Sequence, residues 1–473
     1  MLLRSSKKSI SVRRAIALNY DGKRMSLPPV FAASALYDNL LQAALRQFFG
    51  RATFETEAIP SLSSDGRLAI EPTSDPSELT IRWFGSRHVL HVPARRPFTA
   101  HEVRLARAIG AVLSIRYRAV FDPRQMLEHG ELFRGSIEDR YVGAFVDEMA
   151  YTDPAQTRAD LVATGIEVLR VAAMSSYENR SISSGILILD TDHDPHHPTA
   201  TTGDQAFRYT QALTGIKTFY RLSDGLQTVY LINRTGDVLD VLDIVRRFEP
   251  ARMDVPCPTP YRSHALATAG NRNVCVVLSP SHEIKLFAEG VQVFSFRNAR
   301  WHLLDLHAKY EMWASSVGNR ALAERLFQTA LDLADAREGA LFVVLRDPAA
   351  SLPLLVAPGD QLDAPRLPGN VETPTRAQLL QMLQGRSATG IDSAVLSGLA
   401  RTDGATVLDP TGRLLAVGAI LLHSEPVEPH SSLAVEGART TAAMAAGRYG
   451  AVLKVSEDGV MTFYDQQERI WDI

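Results

Sequence analysis

RTDGATVLDPTGRLLAVGAILL, residues 401–422, and EGARTTAAMAAGRYGAVLKVSEDG, residues 436–459, decide how the C-terminal part of the chain is read. Thr406-Val407-Leu408 is β-branched and apolar, as a short buried strand requires. Asp409-Pro410-Thr411-Gly412 has the composition of a turn. Leu414 to Leu422 is a second apolar run, and Ala442 to Ala446 carries high helix propensity. Ala451 to Val455 reads as a third strand, closed by the turn Ser456-Glu457-Asp458-Gly459. The polar side chains therefore fall at element ends: Asp403, then Arg439 with the hydroxyls of Thr440 and Thr441, then Glu457. Strand and helix ends are where a sheet presents polar groups to one ligand.

Four motifs stand here in order: Asp403-Gly404-Ala405, Gly412-Arg413, Gly437-Ala438-Arg439-Thr440-Thr441-Ala442-Ala443 and Val455-Ser456-Glu457-Asp458. Upstream lie Leu333 to Val344, a helix end followed by a strand, and Gly359-Asp360-Gln361-Leu362-Asp363-Ala364. Together they resemble the catalytic domain of the bacterial diadenylate cyclases, which join two ATP molecules into cyclic di-AMP. The resemblance covers residues 319–473, about a third of the chain. It implies an α/β (α+β) unit with a mixed sheet flanked by helices. It also implies ATP as substrate, release of pyrophosphate, Mg2+ or Mn2+ as cofactor, and self-association, since each copy holds one ATP.

Such chemistry needs a carboxylate and metal beside a 3′-hydroxyl, and a cradle for the triphosphate. The resemblance implies that Asp403 is catalytic and that Asp403 and Glu457 hold the metal. Arg439 would fork onto phosphate oxygens. Gly404, Ala405, Leu362, Asp363, Ala438, Thr440, Thr441 and Ser456 would line the nucleotide. The sequence departs from the family pattern where Thr440 and Thr441 replace a His and an Arg, and where Thr402 replaces a His ahead of Asp403. A lost charge-assisted contact is worth roughly 1.5–3 kcal/mol, so rate, nucleotide choice and activity itself all turn on this replacement. Arg448 and Lys454 are near in sequence and could restore charge. A nucleotide-binding module without catalysis, and a ligand-sensing dimeric scaffold, remain the alternatives.

The rest of the chain reads as a sensor region. At 473 residues, two to three globular units are expected: residues 1–130, 131–310 and 319–473. A net charge of −3 gives no electrostatic case for nucleic acid or a membrane surface. Two cysteines, no secretory leader pattern and no long apolar run point to a cytoplasmic protein. In the first unit Ala33 to Phe49 has a helical apolar stripe, and Glu78 to Trp83 with His88 to Val92 alternate as a strand pair. Thr99 and Glu102 form a capping box opening a helix over residues 100–119. This arrangement is similar to the tail of GAF-type sensor domains.

In the second unit, residues 157–173 and 203–213 read as helices, and 185–189 and 228–233 as strands. A β-meander follows over residues 273–297. Asp190 to His197 is rich in Asp and His and could bind a divalent metal, but its ligands are adjacent rather than spaced to converge, which favours a polar loop. Tyr261 to His264 reads as a packing element, and Trp301 and Trp313 as core between units. The ligand of this sensor region is not legible in its residues.

Overall fold

The structure is a computed structural model that describes residues 29–49, 52–58, 68–71, 73–92, 96–128, 130–148, 151, 160–177, 180–194, 207–248, 253, 255–363, 376–422 and 437–473. It is mixed α and β, with two large mixed sheets flanked by helices, as the sequence predicts. Ala364, the loop over 367–375 and His196 and His197 of the Asp/His cluster lie outside the described residues.

The first sheet is antiparallel, in the order β1-β4-β3-β2, from Thr53–Ala58 (β1), Ala69–Glu71 (β2), Glu78–Trp83 (β3) and Ser86–His91 (β4). It packs with helices α1 (Pro29–Phe48) and α2 (Ala100–Phe121). The capping box is formed: the Glu102 amide donates to Thr99 Oγ1 at 3.1 Å, and the Thr99 amide donates to Glu102 Oε2 at 2.9 Å. Such a cap contributes about 1 kcal/mol. Helices α3 (Ile137–Val146) and α4 (Leu161–Ala173) follow.

The second sheet has seven strands in the order β11-β10-β9-β8-β5-β6-β7. They are Ser184–Ile188 (β5), Thr228–Ile232 (β6), Val238–Asp243 (β7), Val274–Leu278 (β8), Ile284–Ala288 (β9), Val291–Arg297 (β10) and Arg300–Leu303 (β11). The meander β8 to β11 is therefore not free-standing, because β8 pairs antiparallel with β5. Only β5 and β6 run parallel in this sheet. The helix expected over 203–213 is not present among the described residues of that span. Arg208 there forms a bridge to Asp237, and Gln211–Gly215 is a 3-10 turn with no buried residue, so it lacks the apolar face a helix would need.

The third sheet is built from Ala340–Leu345 (β12), Ala405–Leu408 (β13), Leu414–Ala419 (β14), Gly450–Val455 (β15), Met461–Asp465 (β16) and Glu468–Asp472 (β17), in the order β14-β13-β12-β15-β16-β17. Again one pair, β12 with β13, is parallel. Helices α5 (Leu306–Val317), α6 (Arg320–Asp335) and α7 (Ser393–Ala400) share a core with one face of this sheet. α8 (Ala438–Gly447) packs on the opposite face. In α6 the apolar residues 322, 323, 326, 327, 330 and 331 recur at helical spacing and are buried, and Asn319 caps the start by accepting the Leu322 amide at 3.2 Å.

The second and third sheets are tied by buried polar contacts. Lys285 is ion-paired to Glu283 on its own sheet at 3.1 Å and to Asp335 of α6 at 2.9 Å. Arg297 Nη1 donates to the Gly459 carbonyl at 2.7 Å. Trp301 and Trp313 are both buried, their indole N–H groups donating to Asp139 and to the Ala323 carbonyl. Asp192 and Asp194 form fork-to-fork pairs with Arg234 and Arg247, which accounts for part of the Asp/His cluster as a salt-bridged loop.

Histidine titration gives a testable pH profile. Burial lowers His264 and His302 from 6.5 to about 4. His101 is held at about 9: burial opposes its charge, but Asp305 and Glu289 outweigh that. Between pH 6.5 and 4 the unfolded chain takes up protons that the folded His264 and His302 refuse. Stability therefore falls with acidification, by about 1.4 kcal/mol per pH unit for the buried His264. From pH 6.5 to about 8 the sign reverses, because folded His101 keeps a proton that the unfolded chain has lost; above about 8 the buried Lys309, lowered to about 8, offsets this. Urea-unfolding midpoints should therefore peak near pH 6.5. A profile that rises steadily from acid to alkaline pH would contradict these assignments.

Candidate nucleotide site

Three separate strand ends meet at one rim of the third sheet. The parallel register of Phe342 with Thr406 sets the start of β12 level with Gly404, and the antiparallel register of Ala340 with Val455 sets it beside the end of β15. Asp403 precedes β13, Glu457 follows β15, and α8 begins at the same rim with Arg439 in its first turn. The Arg439 guanidinium lies between the two acids, Nη1 at 3.1 Å from Glu457 Oε1 and Nη2 at 3.6 Å from Asp403 Oδ1. The Asp403 side chain is fully exposed and that of Glu457 is 75% exposed, so all three groups can reach a ligand from solvent. Ion pairs this exposed add little to stability.

Glycines make the rim possible. A Cβ at Gly339 would lie 2.1 Å from Arg439 Nη1 and 3.4 Å from Glu457 Cγ, so the guanidinium is seated on bare backbone. Gly404 has φ +108°, and a Cβ there would stand 2.5 Å from the Gly418 carbonyl carbon across the ladder. Gly404→Ala should cost about 2–4 kcal/mol through backbone strain and a clash with main chain that cannot give way. Urea denaturation of the variant tests this, and a loss below about 1 kcal/mol would contradict the tight crossing.

The first turn of α8 has a glycine, Gly437, at its N-cap and so no side-chain cap on its amides. Uncapped amides and the helix dipole together favour an anion. Thr440 is also at this end, its hydroxyl accepting a hydrogen bond from Lys454 Nζ at 2.7 Å. A cation thus stands beside the hydroxyl of Thr440. Arg448 does not reach the rim: it is the C-cap residue at the far end of α8, roughly 13 Å along the helix from Arg439.

The remaining expected residues divide. Ala438, Thr441 and Ser456 are at the rim by their place in α8 and after β15, and Ala405 is buried at the start of β13. Leu362 and Asp363 are not brought to it. Gln361 bridges to Ala416, and the Leu362 amide donates to the Leu415 carbonyl, which runs this segment along β14 toward its Leu414 end. Leu362 is buried in the core, and Asp363 pairs with Arg413 at 2.6 Å. That end is ~17 Å of strand from the rim.

The sequence reading missed Gly339 and the Glu338–Arg401 pair, 3.0 Å apart, that joins the segments leading into β12 and toward Asp403. Their only local signal is a Glu-Gly step directly ahead of a buried strand. Among the described residues no group of three or more His, Cys, Asp or Glu side chains could hold a metal by itself. Asp403 and Glu457 nevertheless supply hard oxygen donors of the type that suits Mg2+ or Mn2+ when phosphates and waters complete the shell.

No known family matches the chain, and no curated protein matches it. Among solved structures it is similar to a hypothetical membrane spanning protein from Bacillus cereus, at 17% identity over 36% of this chain and 76% of that one, with a TM-score of 0.23. It is also similar to a double mutant of DacA from Staphylococcus aureus, at 20% identity over 32% of this chain and 86% of that one, with a TM-score of 0.20. Scores this low leave the chemistry of the rim to be judged from its own residues. Among the described residues no helix is long and apolar enough to cross a membrane.

Proposed function

We propose that the C-terminal unit binds a nucleoside triphosphate at the Asp403–Arg439–Glu457 rim and joins two of them, ATP by the sequence resemblance, into a cyclic dinucleotide such as cyclic di-AMP. The observation that supports it best is the convergence of these three groups, from three elements, on the uncapped start of α8. In this reading the α8 amides and Arg439 bind phosphate oxygens, and Lys454 with Thr440 adds positive charge beside them. Asp403 and Glu457 would hold the divalent cation, which supplies charge neutralisation at the reacting phosphate. Asp403 would also take up the proton that the 3′-hydroxyl loses. Pyrophosphate leaves as the phosphodiester forms. Both acids face Arg439 in the free protein, so ligand binding exchanges the guanidinium from carboxylate to phosphate.

Because each copy would hold one nucleotide, product requires two rims facing each other. Adding Asp403→Asn protein to a fixed amount of wild type should therefore lower total product by forming mixed pairs. A flat response would show that one copy suffices. The residues ahead of the unit would set how often the rims meet, a population shift driven by their own ligand.

Incubation with each of the four nucleoside triphosphates and Mn2+ or Mg2+, with products read by mass spectrometry, tests the reading. A cyclic dinucleotide is expected. Nucleotide binding without product would favour the second reading, a silent binding module, for which the replacement of a His and an Arg by Thr440 and Thr441 speaks.

A further inference from the structure

A second arginine reaches the C-terminal rim from outside the segments that build it. Arg376 opens the short helix Arg376–Leu380, which lies in the chain between the Leu362 segment and α7. Its Nη2 donates to the Gly418 carbonyl at 2.7 Å and to the Val417 carbonyl at 3.3 Å. These carbonyls belong to the end of β14 that lies beside Asp403. Ala419 pairs there with Ala405, and a Cβ at Gly418 would stand 3.0 Å from the Asp403 carbonyl oxygen. Since the strands run in the order β14-β13-β12-β15, the groups along the rim are Arg376, Asp403, Arg439 and Glu457, base and acid in alternation.

The two arginines are seated by the same device. As Gly339 leaves room for Arg439 Nη1, so Gly418 leaves room for Arg376 Nη2, which would lie 2.3 Å from a Cβ there. Gly418 also has φ +61°, in the left-handed region that glycine adopts freely. Bare backbone thus admits a guanidinium on each side of Asp403. The two differ in what they face. Arg439 lies between two carboxylates, whereas Arg376 bonds, among the described residues, to main-chain carbonyls alone. Carbonyls orient a guanidinium without cancelling its charge, and both bonds come from one of its three nitrogens. Arg376 is exposed, so the rest of its fork is open to a ligand from solvent.

We propose that Arg376 is a second phosphate-binding residue of this rim, on the side of Asp403 away from Arg439. The inference rests on the reading of the rim as a nucleotide site and adds a group to it. A planar fork with uncompensated charge suits phosphate oxygens, which it binds by charge-assisted hydrogen bonds. The two guanidinium seats are two strand spacings apart, ~10 Å. A phosphate chain lying across the rim in front of Asp403 meets Arg439 with one end and Arg376 with the other.

The test is the affinity of the full-length protein for a non-reacting ATP analogue with Mg2+, measured by calorimetry at several salt concentrations. Arg376→Gln should weaken binding by about tenfold. Its affinity should also depend less steeply on salt than that of wild type, because one charged contact has gone. Arg376→Lys keeps the charge and should recover part of the loss. A purely structural hold on the end of β14 would move neither the salt dependence nor the rescue by charge. Equal affinity in wild type and Arg376→Gln would overturn the proposal and leave the Asp403–Arg439–Glu457 rim standing. So would a loss that keeps the wild-type salt dependence and that Arg376→Lys does not relieve. Wild-type protein that binds no analogue would overturn the rim, and this residue's role with it.

Discussion

Asp403→Asn should abolish dinucleotide formation, with a loss of about 10³-fold or more, while leaving the melting temperature unchanged. The two halves of that expectation have separate causes. The carboxylate is fully exposed and its only ion pair among the described residues is the 3.6 Å contact with Arg439, so the fold loses almost nothing when the charge goes. In the proposed reading the chemistry loses both a hard ligand for the cation and the group that takes up the hydroxyl proton. Asparagine keeps the shape and one oxygen but not the charge. Rates are read from single time courses at saturating nucleotide, and stability from urea midpoints of the same preparations. Normal turnover by Asp403→Asn would remove Asp403 from the site. A large drop in stability would give it a structural role that its exposure denies.

Gly339→Ala should reduce activity by about 10- to 100-fold, the value of one charge-assisted contact of 1.5–3 kcal/mol. The added methyl would occupy the place of Arg439 Nη1. Because that atom ends a flexible side chain, the guanidinium swings away at little cost to folding. The variant should therefore match Arg439→Ala in activity. The double variant Gly339→Ala with Arg439→Ala should be no worse than either single one, since both remove the same contact. Losses that multiply would show that Gly339 acts on something other than Arg439.

The convergence of Asp403, Arg439 and Glu457 was legible because each sits at the end of a segment with its own strong pattern: a β-branched triplet, an alanine-rich helix and an apolar strand closed by an acidic turn. Local propensity placed the ends, and the sheet did the rest. Gly339 could not be read in this way. Its role arises from two long-range registers, Ala340 with Val455 and Phe342 with Thr406, that no local pattern encodes. The same limit explains Leu362 and Asp363, which belong to a segment running along the edge strand β14, where pairing depends on what the neighbouring strand leaves open. In the second sheet the meander was visible as short strands and turns, but its union with β5 across some ninety residues was not. Residues 207–213 have helical composition without the apolar face that would pin a helix to the core, and tertiary context won over propensity.

The most direct test of the central claim is a calorimetric titration of the full-length protein with a non-reacting ATP analogue and Mg2+. Wild type should bind one nucleotide per chain, and both Gly339→Ala and Arg439→Ala should bind at least about tenfold more weakly. Absence of binding, or equal affinity in all three proteins, would contradict a nucleotide site at this rim.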